Sequence, residues 1–113
     1  MADKALSPQA LKVLQMLGKH VAKARIRRGI KQADLAKRTG MSHVRLRKIE
    51  RGDPTVGLGG LVQVLDVLGL LEDLAKVAHP DTDLLGKALE DASQARRVRV
   101  SDRNDNRIDT LDF

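Results

Sequence analysis

A chain of 113 residues and 12.4 kDa with one aromatic residue, Phe113, and no Cys, Trp or Tyr is long enough for one small core, which has to be built from Leu, Ile, Val, Ala and Met. That palette favours packed helices over a sandwich, and the missing thiols exclude a disulfide framework and a thiolate metal site, in keeping with a reducing cytoplasm. The net charge is +6, yet residues 1–52 hold 14 Lys and Arg against 3 Asp and Glu, residues 53–92 hold 2 against 8, and residues 93–113 hold 5 against 4; a basic half joined to an acidic half suits two kinds of partner, the first polyanionic.

The opening "MADKALSPQA" lacks the apolar run of a secretory signal. Ser7 followed by Pro8 reads as an N-cap with proline at the first helical position, and Gly29 suits the left-handed position after a helix end. Between them Leu14, Leu17, Val21 and Ala24 recur at helical spacing. Gly18 interrupts that pattern at a cost of ~1 kcal/mol relative to Ala, which places the effective start near Leu17 and leaves residues 1–16 as an arm or a helix extension.

A short helix is predicted from Gln32 to Thr39, stopped by Gly40, and a third from a Ser42 cap to Arg51, stopped by Gly52. "GDPT" is a turn. Leu58, Leu61, Leu65 and Leu68 mark a fourth helix closed by Gly69, and Leu70 to Val77 a fifth, closed near Pro80. Residues 82–92 form a sixth, with Asp81 as its cap, and "RRVRV" alternates as a short strand does. The remaining "SDRNDNRIDTLDF" has the polar composition of a chain disordered when alone. The most apolar window, "VGLGGLVQVLDVLGLL", is too short and too broken by Gln63, Asp66 and glycines to span a bilayer.

The third helix, within "GMSHVRLRKIERG", carries the sharpest signal. At about 100° per residue, Ser42, Leu46, Ile49 and Glu50 share one side, while Val44, Arg47, Lys48 and Arg51 share the other. A solvated helix normally mixes charge signs for i,i+4 support, yet this outward side has no acid. Phosphates supply a reason for that repulsion, with the N-terminal end of the helix in the major groove. Ala36 allows a close helix approach, Gly40 permits the tight turn, and Leu46 and Ile49 fill the space between the two helices.

These residues carry a resemblance. "QADLAKRTGMSHVRLRKIERG", through the spacing of Gln32, Leu35, Ala36, Gly40, Leu46, Ile49, Glu50 and Gly52, resembles the helix-turn-helix of the Cro/lambda-repressor-like family, also called the XRE family, over residues 17–78. The resemblance implies an all-α fold: a five-helix lambda-repressor-like helix-turn-helix domain, then a C-terminal helical segment over 79–95 and a flexible or short-strand basic and polar tail over 96–113.

It also implies roles. Gln32 matches the family's phosphate-contacting glutamine, Ser42 a cap that touches phosphate as well, and His43, Val44 and Lys48 the positions facing base edges, with Arg45 and Arg47 beside them and Arg51 near the backbone. Lys48 or Arg47 has the chemistry to donate to guanine O6 and N7, and Val44 to pack on a thymine methyl, although an idle exposed valine is as ordinary. Arg25 and Glu50 match a structural pair tying the first helix to the third. Two positions depart from the family. Lys31 stands where Thr or Ser is usual, a poor cap with a charge suited to phosphate, and Gly57, Leu58, Gly59 and Gly60 open the fourth helix where a capping Ser is common. Those glycines fit neither a GxGxxG nor a Walker spacing; they let backbone approach either DNA or a neighbouring helix.

The family binds palindromic double-stranded DNA as two-fold dimers, half-sites roughly 34 Å apart or a multiple of that. Here the homodimer surface falls either to Leu70, Leu71 and Leu74 or to Val98 and Val100 paired as a small sheet, unless those leucines close the monomer's own core. "GDPTVGLGGL", the Pro-Asp followed by Leu-Gly, and the terminal Arg/Val run resemble HipB-type antitoxins, which implies a HipA-like kinase toxin as protein partner. Val98, Val100, Leu111 and Phe113 are its candidate contacts, Phe113 as an anchor that orders on binding.

The function implied is a bacterial, cytoplasmic, nucleoid-associated repressor that is also an antitoxin, autoregulating its operon; a stand-alone repressor without a toxin is the alternative. No catalytic grouping, cofactor motif or metal-ligand spacing points to an enzyme, and His20, His43 and His79 are too scattered for a metal. A membrane-surface helix is disfavoured because the apolar side of the third helix is committed to a neighbour.

Overall fold

The computed structural model describes residues 5–103. Among them are six helices and no strand: α1 Pro8–Arg27, α2 Gln32–Thr39, α3 His43–Arg51, α4 Leu58–Leu68, α5 Leu71–Ala75 and α6 Leu84–Arg103. The chain divides into two compact units, one ending at Ala75 and the other beginning at Lys76.

Local signals set most helix ends in the first unit. The Ser7 hydroxyl accepts from the Ala10 N–H at 3.0 Å, and Pro8 occupies the first helical position without losing a bond it needed. Ser42 does the same for α3, accepting from the Arg45 N–H at 3.1 Å. Helices α2, α3 and α4 each run into a glycine at positive φ: Gly40 at 71°, Gly52 at 72° and Gly69 at 78°. There the left-handed backbone turns N–H groups back onto the last carbonyls, and a side chain would oppose it.

Helix α1 starts at Pro8 rather than near Leu17. Gly18 is not a start signal but a contact point. A Cβ there would lie 2.5 Å from the Glu50 carbonyl oxygen and 2.8 Å from the Gly52 nitrogen, so the α1 backbone rests against the end of α3. Close approach offsets the propensity cost of a mid-helix glycine.

The core of this unit is Val21 from α1, Leu35 and Ala36 from α2, Leu46 and Ile49 from α3, and Val64, Leu65 and Leu68 from α4. Ala24, Ile30, Met41, Val56 and Leu61 pack around it. So do Leu70 and Leu74, which places two of the three candidate dimer leucines against the monomer's own core; Leu71 remains exposed. Leu58, on the apolar pattern of the fourth helix, is 70% exposed, because α4 has only begun at that point.

In the second unit the sixth helix begins at Leu84, capped by Asp83 rather than Asp81: the Asp83 carboxylate accepts from the Gly86 N–H at 3.0 Å. The strand expected from "RRVRV" is absent. Arg96, Arg97, Val98, Arg99 and Val100 continue α6, and both valines are exposed. Among the described residues a five-residue alternation has no neighbouring strand to pair with, while each residue added to a helix already formed over Leu84–Ala95 gains a backbone bond. Leu111 and Phe113 lie outside the described residues.

Candidate nucleic-acid interface

Helix α3 is positioned from beneath and held from one side. Leu46 is fully buried and Ile49 nearly so, which fixes the rotation of the helix against α2 and α4. Ser42, His43, Val44, Arg45, Arg47 and Arg51 are then exposed, and Lys48 is half-buried. Val44, at 54% exposure, is the one apolar residue on that outward face.

The single acid of α3, Glu50, is turned away from this face. The Arg25 Nε donates to Glu50 Oε2 at 2.7 Å and Nη2 to Oε1 at 3.1 Å, while Nη1 donates to the Ile30 carbonyl at 3.0 Å. The side chains of Arg25 and Glu50 are only 13% and 7% exposed. A planar guanidinium matches a carboxylate in this two-bond geometry, and the pair joins α1 to α3. Glu50 is thereby compensated inside the protein and removes no charge from the outer surface.

The same carboxylate orders Gln32. Its Nε2 donates to Glu50 Oε1 at 3.0 Å, which leaves Oε1 of Gln32 facing Nε2 of His43 at 2.7 Å. A row of hydrogen bonds therefore runs Arg25, Glu50, Gln32, His43, from the interior of the fold to the start of α3. Gln32, at the first position of α2, is held on both ends of its amide. Lys31 just before it is exposed and makes no side-chain cap bond.

Arg45 has a place that its sequence position does not disclose. Its guanidinium covers Gly60 on α4: a Cβ at residue 60 would stand 3.0 Å from Nη2 and 3.2 Å from Nε. Gly57 and Gly59 meet nothing within 4 Å. The four-residue opening of α4 thus divides its glycines between one that admits an arginine and two that leave backbone open.

The close approach expected of these glycines is thus to a neighbouring side chain at Gly60. Gly57 provides no side-chain bond and the first turn of α4 holds no acid, so its amide groups keep their positive potential. Ser42, Val44, Arg45 and Lys48 line a hollow together with Thr55 and Gly57, which brings the α4 start and Thr55 alongside the basic face. Thr55 itself belongs to a fixed turn, its N–H and hydroxyl donating to Asp53 Oδ1 at 2.8 and 2.6 Å. Those two bonds hold the Asp53 carboxyl below its ordinary value, with smaller help from the charges of Lys48 and Arg51.

Among the described residues none of Arg45, Arg47, Lys48 and Arg51 is in an ion pair. An exposed surface of this kind, one sign and no internal partner, is suited to a polyanion. Lys31, Gln32 and residues 42–51 come together on the first unit; Val98 and Val100 belong to the second. Among the described residues no three His, Cys, Asp or Glu side chains gather as metal ligands do, and no helix is long and apolar enough to cross a membrane.

A family model described as a helix-turn-helix domain matches residues 16–78, more than half of the chain. No curated protein matches it.

Proposed function

The chain belongs to the helix-turn-helix domain family that spans its residues 16–78, and from that premise we propose that it is a sequence-specific transcriptional repressor that grips operator DNA through α3. The observation that carries this reading is the one-signed outer face of α3 over a buried Leu46 and Ile49, with Glu50 withdrawn to Arg25.

In the proposed complex the N-terminal end of α3 enters the major groove. His43, Val44, Arg47 and Lys48 face base edges: Lys48 or Arg47 donates to guanine O6 and N7, and Val44 meets a thymine methyl. Ser42, Lys31, Arg51 and the uncapped start of α4 take the flanking phosphates, where open amides and positive side chains act together. Gln32 acts mainly as a positioner, since its amide is engaged by Glu50 and His43. Two copies read the halves of a palindrome, spaced by about one helical turn of DNA or a multiple, roughly 34 Å.

A finer reading makes this repressor the antitoxin of a HipA-like kinase toxin. It is supported by the acidic balance of residues 53–92, opposite in sign to that of residues 1–52, and by the HipB-like run from "GDPTVGLGGL" to the terminal Arg/Val pattern. Val98, Val100, Leu111 and Phe113 are the contacts proposed for that partner.

Footprinting on the DNA upstream of the gene tests the repressor; a protected palindrome is the expected result, and uniform, sequence-independent protection would refute it. Co-purification with the product of an adjoining kinase-like reading frame tests the antitoxin, and if no such frame adjoins, the stand-alone repressor is the reading left.

A further inference from the structure

The contact of Gly18 with the end of α3 leaves a hollow beside it. Leu14, Leu17 and Val21 of α1, Ile49 of α3, and Val56 and Leu61 around the start of α4 enclose about 200 Å³ there. Two further positions of the wall, Gly18 and Gly57, bring no side chain to fill it, and a Cβ at Gly57 would meet nothing within 4 Å. Leu58, 70% exposed, belongs to the same wall, so a guest in the hollow covers apolar surface that the fold leaves in water.

Size and polarity restrict the guest. An apolar cavity of roughly 150 Å³ stays dry and takes up benzene, whereas drug-sized ligands need about 300 Å³ or more. A hollow between these values holds one ring or a short branched chain and has no room for a helix. The one charged residue in its wall is Asp53. This side chain is half-buried, its Oδ1 is taken by the Thr55 N–H and hydroxyl, and among the described residues nothing donates to its Oδ2. Lys48 and Arg51 act on it from a distance, and neither forms an ion pair with it.

We propose that this cavity is a binding site for a small organic cation, an amine on a single ring or short apolar chain, its apolar body against Leu14, Leu17, Leu58 and Leu61 and its ammonium at Asp53. A neutral guest of the same outline makes a weaker bond to the carboxylate, and an anionic one is repelled by it. The site stands apart from the reading of operator DNA and is tested without it.

Amide NMR spectra of the full chain are titrated with benzylamine, an ammonium near neutral pH, and with benzyl alcohol, which has the same outline and no charge. Both are expected to shift Gly18, Val56 and Gly57, with benzylamine bound tighter by about three-fold or more, within the range of a half-exposed charge pair. Asp53→Asn, which keeps an acceptor for Thr55, is expected to remove that preference and leave benzyl alcohol unaffected. Leu14→Phe fills the hollow from α1 and is expected to abolish the shifts by both probes; if that chain does not fold, the Asp53→Asn comparison decides. Equal affinity of the two probes for wild type, a preference that survives Asp53→Asn, a folded Leu14→Phe chain that still binds, or no shift at these three amides overturns the proposal. So does movement of the same amides when the protein alone is diluted, which would give the cavity to a side chain of a second copy.

Discussion

Gly18 in the middle of α1 and Gly52 at the end of α3 face each other so closely that neither has room for a side chain. A Cβ on Gly18 would lie 2.8 Å from the Gly52 nitrogen, and a Cβ on Gly52 would lie 2.6 Å from the Gln15 Cα. Backbone meets backbone there, and backbone cannot step aside as the end of a long side chain can. The contact sets how α1 supports the third helix from behind.

Gly18→Ala should therefore lower stability although alanine is the better helix former by ~1 kcal/mol. Overpacking against fixed backbone costs about 1–3 kcal/mol, and a net loss of 1 kcal/mol in a domain this small moves Tm by roughly 4–8 °C. Gly52→Ala should be worse, because its φ of 72° adds about 1–2 kcal/mol of left-handed strain. Thermal unfolding of the two variants measures this; a Gly18→Ala chain as stable as wild type contradicts the packing described.

Gly60→Ala is expected to behave oppositely. The atoms it meets are the far end of Arg45, a side chain free to swing aside. Stability should hold or rise slightly, since the change improves helix propensity by up to ~1 kcal/mol. Operator affinity should shift, because Arg45 loses its resting place beside the hollow. A variant that loses stability while binding DNA normally would reverse both halves of this expectation.

Removing one partner of the Arg25–Glu50 pair leaves a charge, 13% or 7% exposed in its side chain, without compensation. Arg25→Met or Glu50→Leu should each cost about 3–5 kcal/mol, and replacing both should cost much less than the two added together. Chemical denaturation of the three variants forms a double-mutant cycle. Additive losses would mean that the pair does not act as a unit.

Lys48→Ala with Arg51→Ala should weaken operator binding about ten- to a hundred-fold, for about 1–3 kcal/mol per base-contacting side chain. The salt dependence should flatten by about 0.9 in log–log slope for each phosphate contact removed. Both side chains stand outside the core, so Tm should stay near wild type. Operator affinity untouched by the double change would exclude α3 as the reading helix.

The Asp53 turn makes one component of stability acid-sensitive. Thr55 holds the folded Asp53 carboxyl below its ordinary 3.8, so the unfolded chain takes up that proton first. The contribution is present above about pH 4 and is lost as the pH falls through the lower folded value. Asp53→Asn keeps an oxygen acceptor for Thr55 and has no proton to take up. Its Tm should fall less steeply than that of wild type below pH 4; identical acid limbs would show that the turn carries none of the dependence.

The features legible in the chain before it folds are local ones. Ser7 and Ser42 as caps, Gly40, Gly52 and Gly69 as left-handed stops, and Leu46 and Ile49 as the inner side of α3 follow from bonds and rotations within about four residues, so they are written where they act. The tertiary structure decided what depends on helices meeting. It turned Gly18 from an apparent break into a contact, laid Arg45 over Gly60, closed the row from Arg25 through Glu50 and Gln32 to His43, and carried "RRVRV" on as helix. Those outcomes join positions far apart in the chain or depend on the presence of a neighbour, and a helical pattern states which side faces inward without stating what it will meet there.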